Sequence, residues 1–186
     1  MPKKQPTEGT RREETIDLST HPASPAQNQA MRDEFLNPFV RATAHVLSTM
    51  AGVEAVAGQP CRKTDLKDQS DVTGLIGLIG EGAQGSFSIS FTEACILHIV
   101  SNMLGETITE LTSDVGDAVG ELTNMISGSA RADLDRQGYS FRMALPTVIT
   151  RAGHRMSVIA TSPTTVVPFT TEAGPFFIEA CLMTEN

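Results

Sequence analysis

The stretch 114–137 constrains the fold more than any other part of the chain, because it reads as a single long amphipathic helix. Val115, Val119, Leu122 and Ile126 recur at i, i+4, i+7 and i+11, which at 3.6 residues per turn makes one buried stripe. Ala118, Met125, Ala130 and Leu134 widen that stripe. At about 100° per residue, Asp117, Glu121, Asn124, Gly128 and Arg131 fall on the opposite side, within a sector of about 80°. Glu121 and Asn124, three apart, stand side by side and offer one carboxylate and one amide to whatever lies outside. Gly128 follows one turn later on the same face. A glycine inside a helix costs about 1 kcal/mol relative to alanine, so a close approach from outside explains it better than helix stability does. Taken alone, Glu-x-x-Asn also fits an ordinary solvated face.

The flanking sequence changes period twice. Asn37-Pro38 predicts a helix start, with Asn37 as N-cap and Pro38 where a missing N–H costs nothing; Phe39, Val40, Thr43, Val46, Leu47 and Met50 supply its apolar side and Gly52 its end. From Gln59 to Phe91 the pattern becomes that of strands, with a turn at 80–82 and clean alternation of Phe87, Ile89 and Phe91. Gly74, Gly77 and Gly80 match neither a dinucleotide fingerprint nor a P-loop, and close packing of a helix over the sheet accounts for them better. Thr92 predicts the cap of a second helix through about Leu104, and Gly138 the end of the long one. Strand patterns follow at 140–149, 155–162, 166–170 and 176–183, with turns at 152–153 and 172–174. Each half thus has a helix, a strand hairpin and a proline about 22 residues past an asparagine, Pro60 after Asn37 and Pro146 after Asn124. The expected fold is α+β: a duplicated unit whose helices pack on one face of an antiparallel sheet.

Composition narrows the chemistry. The first 30 residues carry four basic and four acidic side chains, so the whole net charge of −8 rests on residues 31–186. Such a surface repels phosphate backbones and argues against nucleic acid. Residues 1–30, rich in proline and mixed charge and without an aromatic side chain, predict a mobile tail, leaving 31–186 as one domain. Cys61, Cys95 and Cys181 are widely spaced and read as buried structural thiols, and the four histidines never fall at metal-binding spacing. No apolar run is long enough to span a membrane, which places the expected location in the cytoplasm. No nucleophile, metal or cofactor of its own is expected.

The string Asp117-x-x-x-Glu121-x-x-Asn124, with Pro146 downstream, resembles the signature of the CheC/CheX/FliY phosphatases of bacterial chemotaxis. The wording from Ala118 to Gly128 is closest to the CheX branch, as are Asn37-Pro38-Phe39-Val40, the glycine-spaced run from Val72 to Gly80, and Val167-Pro168-Phe169-Thr170 with Gly174. The resemblance, spanning roughly residues 35–183, implies a CheX-like architecture, a homodimer, and hydrolysis of the aspartyl phosphate on a CheY-type receiver domain. On that footing Asn124 would orient the attacking water, Glu121 would pair with a receiver lysine, and Asp117 and Gly128 would line the contact, with Mg²⁺ held by the partner. A non-catalytic module that only binds a receiver or another signalling protein is the alternative. Glu34 and Asn37 repeat the Glu-x-x-Asn spacing, and in CheC relatives a matching first helix can carry a second site. With Asn37 used as a cap and Glu34 lying before the helix, this pair is expected to be structural.

Overall fold

The computed structural model describes residues 25–62, 70–81, 83–150 and 164–184. In chain order the elements are α1 (Pro25–Ala51), β1 (Val56–Ala57), β2 (Cys61–Arg62), β3 (Val72–Gly80), β4 (Ala83–Phe91), α2 (Glu93–Leu104), α3 (Ser113–Arg136), β5 (Phe141–Met143), β6 (Thr147–Thr150), β7 (Thr165–Thr171) and β8 (Gly174–Thr184). The expected strand at 155–162, the turn at 152–153 and most of the tail lie outside the described residues.

All strand pairs are antiparallel, in the order β1-β7-β8-β4-β3-β5, with β2 also on β7 and β6 also on β3. Two hairpins, β3–β4 and β7–β8, meet along β4 and β8 in the middle of the sheet. The short strands after α1 pair with the hairpin of the second half, and those after α3 pair with the hairpin of the first. This reciprocal exchange is what a duplicated α+β unit requires.

The three helices cover the face that carries Val72, Ile76 and Leu78 of β3, Phe87, Ile89 and Phe91 of β4, Val167 and Phe169 of β7, and Phe176 and Ile178 of β8, all buried. Cross-strand pairing puts these residues on one side, since Gly74, Ile89, Ile178 and Val167 lie in one row across the sheet. With no tryptophan, phenylalanines fill the volume: Phe39 stacks on Phe87 at 4.7 Å and Phe169 on Phe176 at 4.8 Å between ring centroids. On α3 the stripe Val115, Val119, Leu122, Ile126, Ala130 and Leu134 is at most 1% exposed, and each large side chain so buried contributes about 1.5–3 kcal/mol.

Two expectations need correction. Asn37 is not an N-cap, because α1 begins at Pro25 and runs through Pro38, so residues 25–30 are already helical. Pro38 cannot donate to the carbonyl of Glu34, a loss of about 3 kcal/mol. Burial of Phe35, Leu36 and Phe39, each at most 3% exposed, outweighs it at about 1.5–3 kcal/mol apiece. The glycines of β3 also differ among themselves. Gly74 lies under α3, whereas a side chain at Gly80 would meet the Ser140 carbonyl and Phe141, and one at Gly77 only Ala144. Among the cysteines, Cys95 and Cys181 are buried and Cys61 is half-buried. Burial pushes the Cys95 thiol above its usual range, against a weaker opposing hydrogen bond from Thr171, so it stays protonated and inert.

Thr92 does precede α2, yet its hydroxyl donates to the Pro175 carbonyl at 3.2 Å and caps nothing. The first N–H of the helix is taken instead by Asp71, from Glu93 N to Oδ2 at 2.8 Å. That carboxylate sits just before β3, too distant in sequence for a local cap motif to reveal it.

Candidate active site

The site is built on α3, and the physics that buries one side of this helix exposes the other. Val119 and Thr123 face β3, where the helix backbone comes so close that a Cβ at Gly74 would lie 1.9 Å from Thr123 Oγ1. Thr123 Oγ1 is itself held by the Val119 carbonyl at 2.7 Å. Asn124 therefore follows directly on a residue pinned to the sheet. Asp117, Glu121 and Asn124 are all exposed, and Gly128 is half-exposed. A side chain at Gly128 would meet nothing within 4 Å, so no packing inside this chain calls for glycine there.

Beside Asp117 and Gly120 an open groove of about 900 Å³ runs between α3 and the sheet edge, lined by Asp71, Glu93, Thr112 and Pro146 among others. Its described lining includes three carboxylates, those of Asp71, Glu93 and Asp117, and no basic side chain. Pro146, singled out from its spacing after Asn124, thus belongs to the same side of the molecule as Asp117.

On α1, Glu34 and Asn37 stand three apart on a regular helix, both exposed, so they do share a face. That corrects the reason for setting the pair aside. The two faces differ one turn further on. Where α3 has the bare Gly128, four residues past Asn124, α1 has Arg41, four residues past Asn37, whose guanidinium reaches Asp133 Oδ2 at 3.1 Å. Asp133 thus bridges α1 and α3, and it also pairs with Arg136 of its own helix.

Among the described residues no cluster of His, Cys, Asp or Glu could hold a metal ion. No described helix is long and apolar enough to cross a membrane.

Residues 72–170, which include all of α3 and Pro146, match the sequence model of a family described as chemotaxis phosphatase CheX.

The chain belongs to the CheX family.

Its relatives cover most of its length. The CheY-P phosphatase CheX of Thermotoga maritima is 27% identical over 120 residues, 64% of this chain and 77% of that protein. The crystal structure of the chemotaxis protein CheX from Vibrio vulnificus is 41% identical with a TM-score of 0.76, over 81% of this chain and 99% of that one. The CheX–CheY–BeF3–Mg²⁺ complex from Borrelia burgdorferi contains a chain that is 24% identical, with a TM-score of 0.67 over 80% of this chain and 97% of that one; this likeness is one of fold. The CheX fold accounts for the sheet covered on one face by helices.

Proposed function

We propose that this CheX-family chain hydrolyses the aspartyl phosphate of a CheY-type receiver domain, with α3 completing a reaction centre that the receiver only half supplies. The observation that carries the proposal is the joint exposure of Glu121 and Asn124 on one helical face beside the bare Gly128. The solved assembly of a CheX with CheY, BeF3 and Mg²⁺ supports the choice of partner, as does the name of the Thermotoga relative.

The receiver brings the phosphoaspartate, its Mg²⁺ and a lysine. An asparagine amide is neither an acid nor a base near neutral pH, so Asn124 acts by position. Its carbonyl oxygen accepts a hydrogen bond from a water and holds that water in line with phosphorus. The water oxygen bonds to phosphorus as the bond from phosphorus to the aspartyl oxygen breaks. The aspartate leaves as carboxylate, and the water proton goes to the released phosphate or to solvent. Phosphoryl transfer of this kind depends on positioning and charge more than on covalent chemistry, so an amide is sufficient. Glu121, one turn away, pairs with the receiver lysine and sets the depth to which Asn124 enters. Asp117 lines the acidic approach.

Glu121→Ala should weaken capture of the receiver by about tenfold, corresponding to the roughly 1.4 kcal/mol of an interfacial charge pair. Titration of decay rate against chain concentration measures it, and an unchanged apparent affinity removes the lysine pairing. Gly128→Ala gives a two-sided check. Because nothing in this chain opposes a methyl group there, the substitution should stabilise the isolated protein by roughly 0.5–1 kcal/mol. It should also reduce receiver affinity if the partner's loops sit on that backbone; a variant more stable and equally tight denies Gly128 a place in the contact.

A further inference from the structure

The edge of the sheet beside α3 is irregular in a way that the phosphatase mechanism does not use. Met143 of β5 pairs with Leu78, and Thr147 of β6 pairs with Leu75. Between these pairs β3 contributes Ile76 and Gly77, while the edge contributes Ala144, Leu145 and Pro146. The edge therefore carries one extra residue, a β-bulge, anchored by Ala144 N donating to the Gly77 carbonyl at 3.0 Å. Pro146 has no N–H to extend the ladder. The residue turned out is Leu145, 89% exposed, above every other exposed large apolar side chain among the described residues.

Helix and strand rise put the bulge near the level of Asn124. Gly120 of α3 lies against Val148 of β6, with 3.5 Å between an added Cβ and Val148 Cγ2. Asn124 is one turn further along the helix, about 6 Å. Pro146 and Leu145 are two and three residues back along the strand, about 7–10 Å. Ser113, Gly116 and Asp117 at the start of α3 share the groove with Thr150, and the chain leaves the other end of α3 to enter β5 at Phe141, so both displacements point the same way. Around the helix axis Asn124 lies between the outermost direction and the flank that Gly120 turns to β6. The proposed docking face thus leans toward the bulge.

We infer that Leu145 is an apolar contact residue for the receiver domain, seated against a nonpolar patch beside the phosphorylation pocket; this rests on the function proposed above. The face of α3 offers carboxylates, an amide, glycine and Arg131 but no large apolar group, whereas Leu145 beside it carries apolar area that a docked partner would remove from water. Among the described residues, the bulge and Pro146 leave this part of the edge without a regular ladder for a second copy to extend. A receiver crossing α3 needs no backbone ladder from this edge.

The test uses the full chain and a receiver activated with beryllofluoride and Mg²⁺, which binds without being hydrolysed. Leu145→Ser should raise the dissociation constant about tenfold, whereas Leu145→Met should stay within about twofold of the parent, the difference being apolar area removed from water. With phosphorylated receiver, Leu145→Ser should raise the half-saturating concentration and leave the saturating rate within about twofold. Equal affinity for parent and Leu145→Ser overturns the inference, as does a loss of self-association in sedimentation with receiver affinity unchanged. Neither result touches the proposed chemistry, which is judged separately by Asn124→Ala. Conversely, Asn124→Ala hydrolysing at the parent rate ends the proposed chemistry, while Leu145→Ser still reports docking.

Discussion

Asn124→Ala should lower the saturating rate of receiver dephosphorylation by about 100-fold or more while leaving affinity for the beryllofluoride-activated receiver within about threefold. The size follows from what the amide does: misplacing a reacting group by about 1 Å can cost two orders of magnitude, and here the water loses its positioning group altogether. The fold should not suffer, because the side chain is exposed and its removal leaves the buried stripe of α3 intact. Measuring phosphoaspartate decay at saturating chain, together with equilibrium binding, separates catalysis from capture. A rate equal to the parent's would falsify the assignment of the water to Asn124. The second Glu-x-x-Asn provides an internal control. Adding Asn37→Ala to Asn124→Ala should cause no further loss, because Arg41 and its bridge to Asp133 occupy the approach to α1 that Gly128 leaves open on α3. A further drop in the double variant would show α1 to be a working second site.

Gly74→Ala should lower thermal stability by about 5–10 °C. The added methyl would lie 1.9 Å from Thr123 Oγ1, 3.1 Å from Thr123 Cβ and 3.2 Å from Val119 Cγ1. Thr123 is fully buried and its hydroxyl is committed to the Val119 carbonyl, so it cannot swing aside without losing that bond. Relief must come from a lost hydrogen bond or from α3 lifting off the sheet. Overpacking of this kind costs about 2–3 kcal/mol, and each kcal/mol moves the melting temperature of a chain this size by about 2–4 °C. Lifting α3 also moves Asn124, the next residue, so the hydrolytic rate should fall with stability. Gly74→Ala combined with Thr123→Ala removes the closest clash and should recover most of the loss. An unchanged melting temperature for the single variant would mean that the helix is not held against β3 at this point.

Much of this molecule could be read from local pattern, and the misreadings share a cause. The stripe from Val115 to Leu134 and its polar reverse follow from a period of 3.6, and the hairpins follow from a period of 2 broken at turns. Those signals are carried by adjacent residues, so they survive without knowledge of the rest of the chain. The start of α1 did not, because Asn37-Pro38 is a sound local stop-and-start signal that lost to the burial of Phe35, Leu36 and Phe39 under the sheet. Thr92 marks the start of α2, but the group that satisfies Glu93 N is Asp71, 22 residues away, which no local motif encodes. The bulge at Leu145 was invisible, as counting the extra residue requires knowing that β5 and β6 share one partner strand.

By itself the sequence determined which side of α3 is buried and which carries Asp117, Glu121, Asn124 and Gly128, because a helix converts spacing directly into direction. Only the tertiary structure decided that Arg41, one turn past the second Glu-x-x-Asn, is tied across to Asp133, how closely Thr123 presses on Gly74, and that Leu145 stands out from the sheet edge. Those outcomes depend on contacts between residues far apart in the chain, whose energies outweigh any local preference and leave no trace in neighbouring letters.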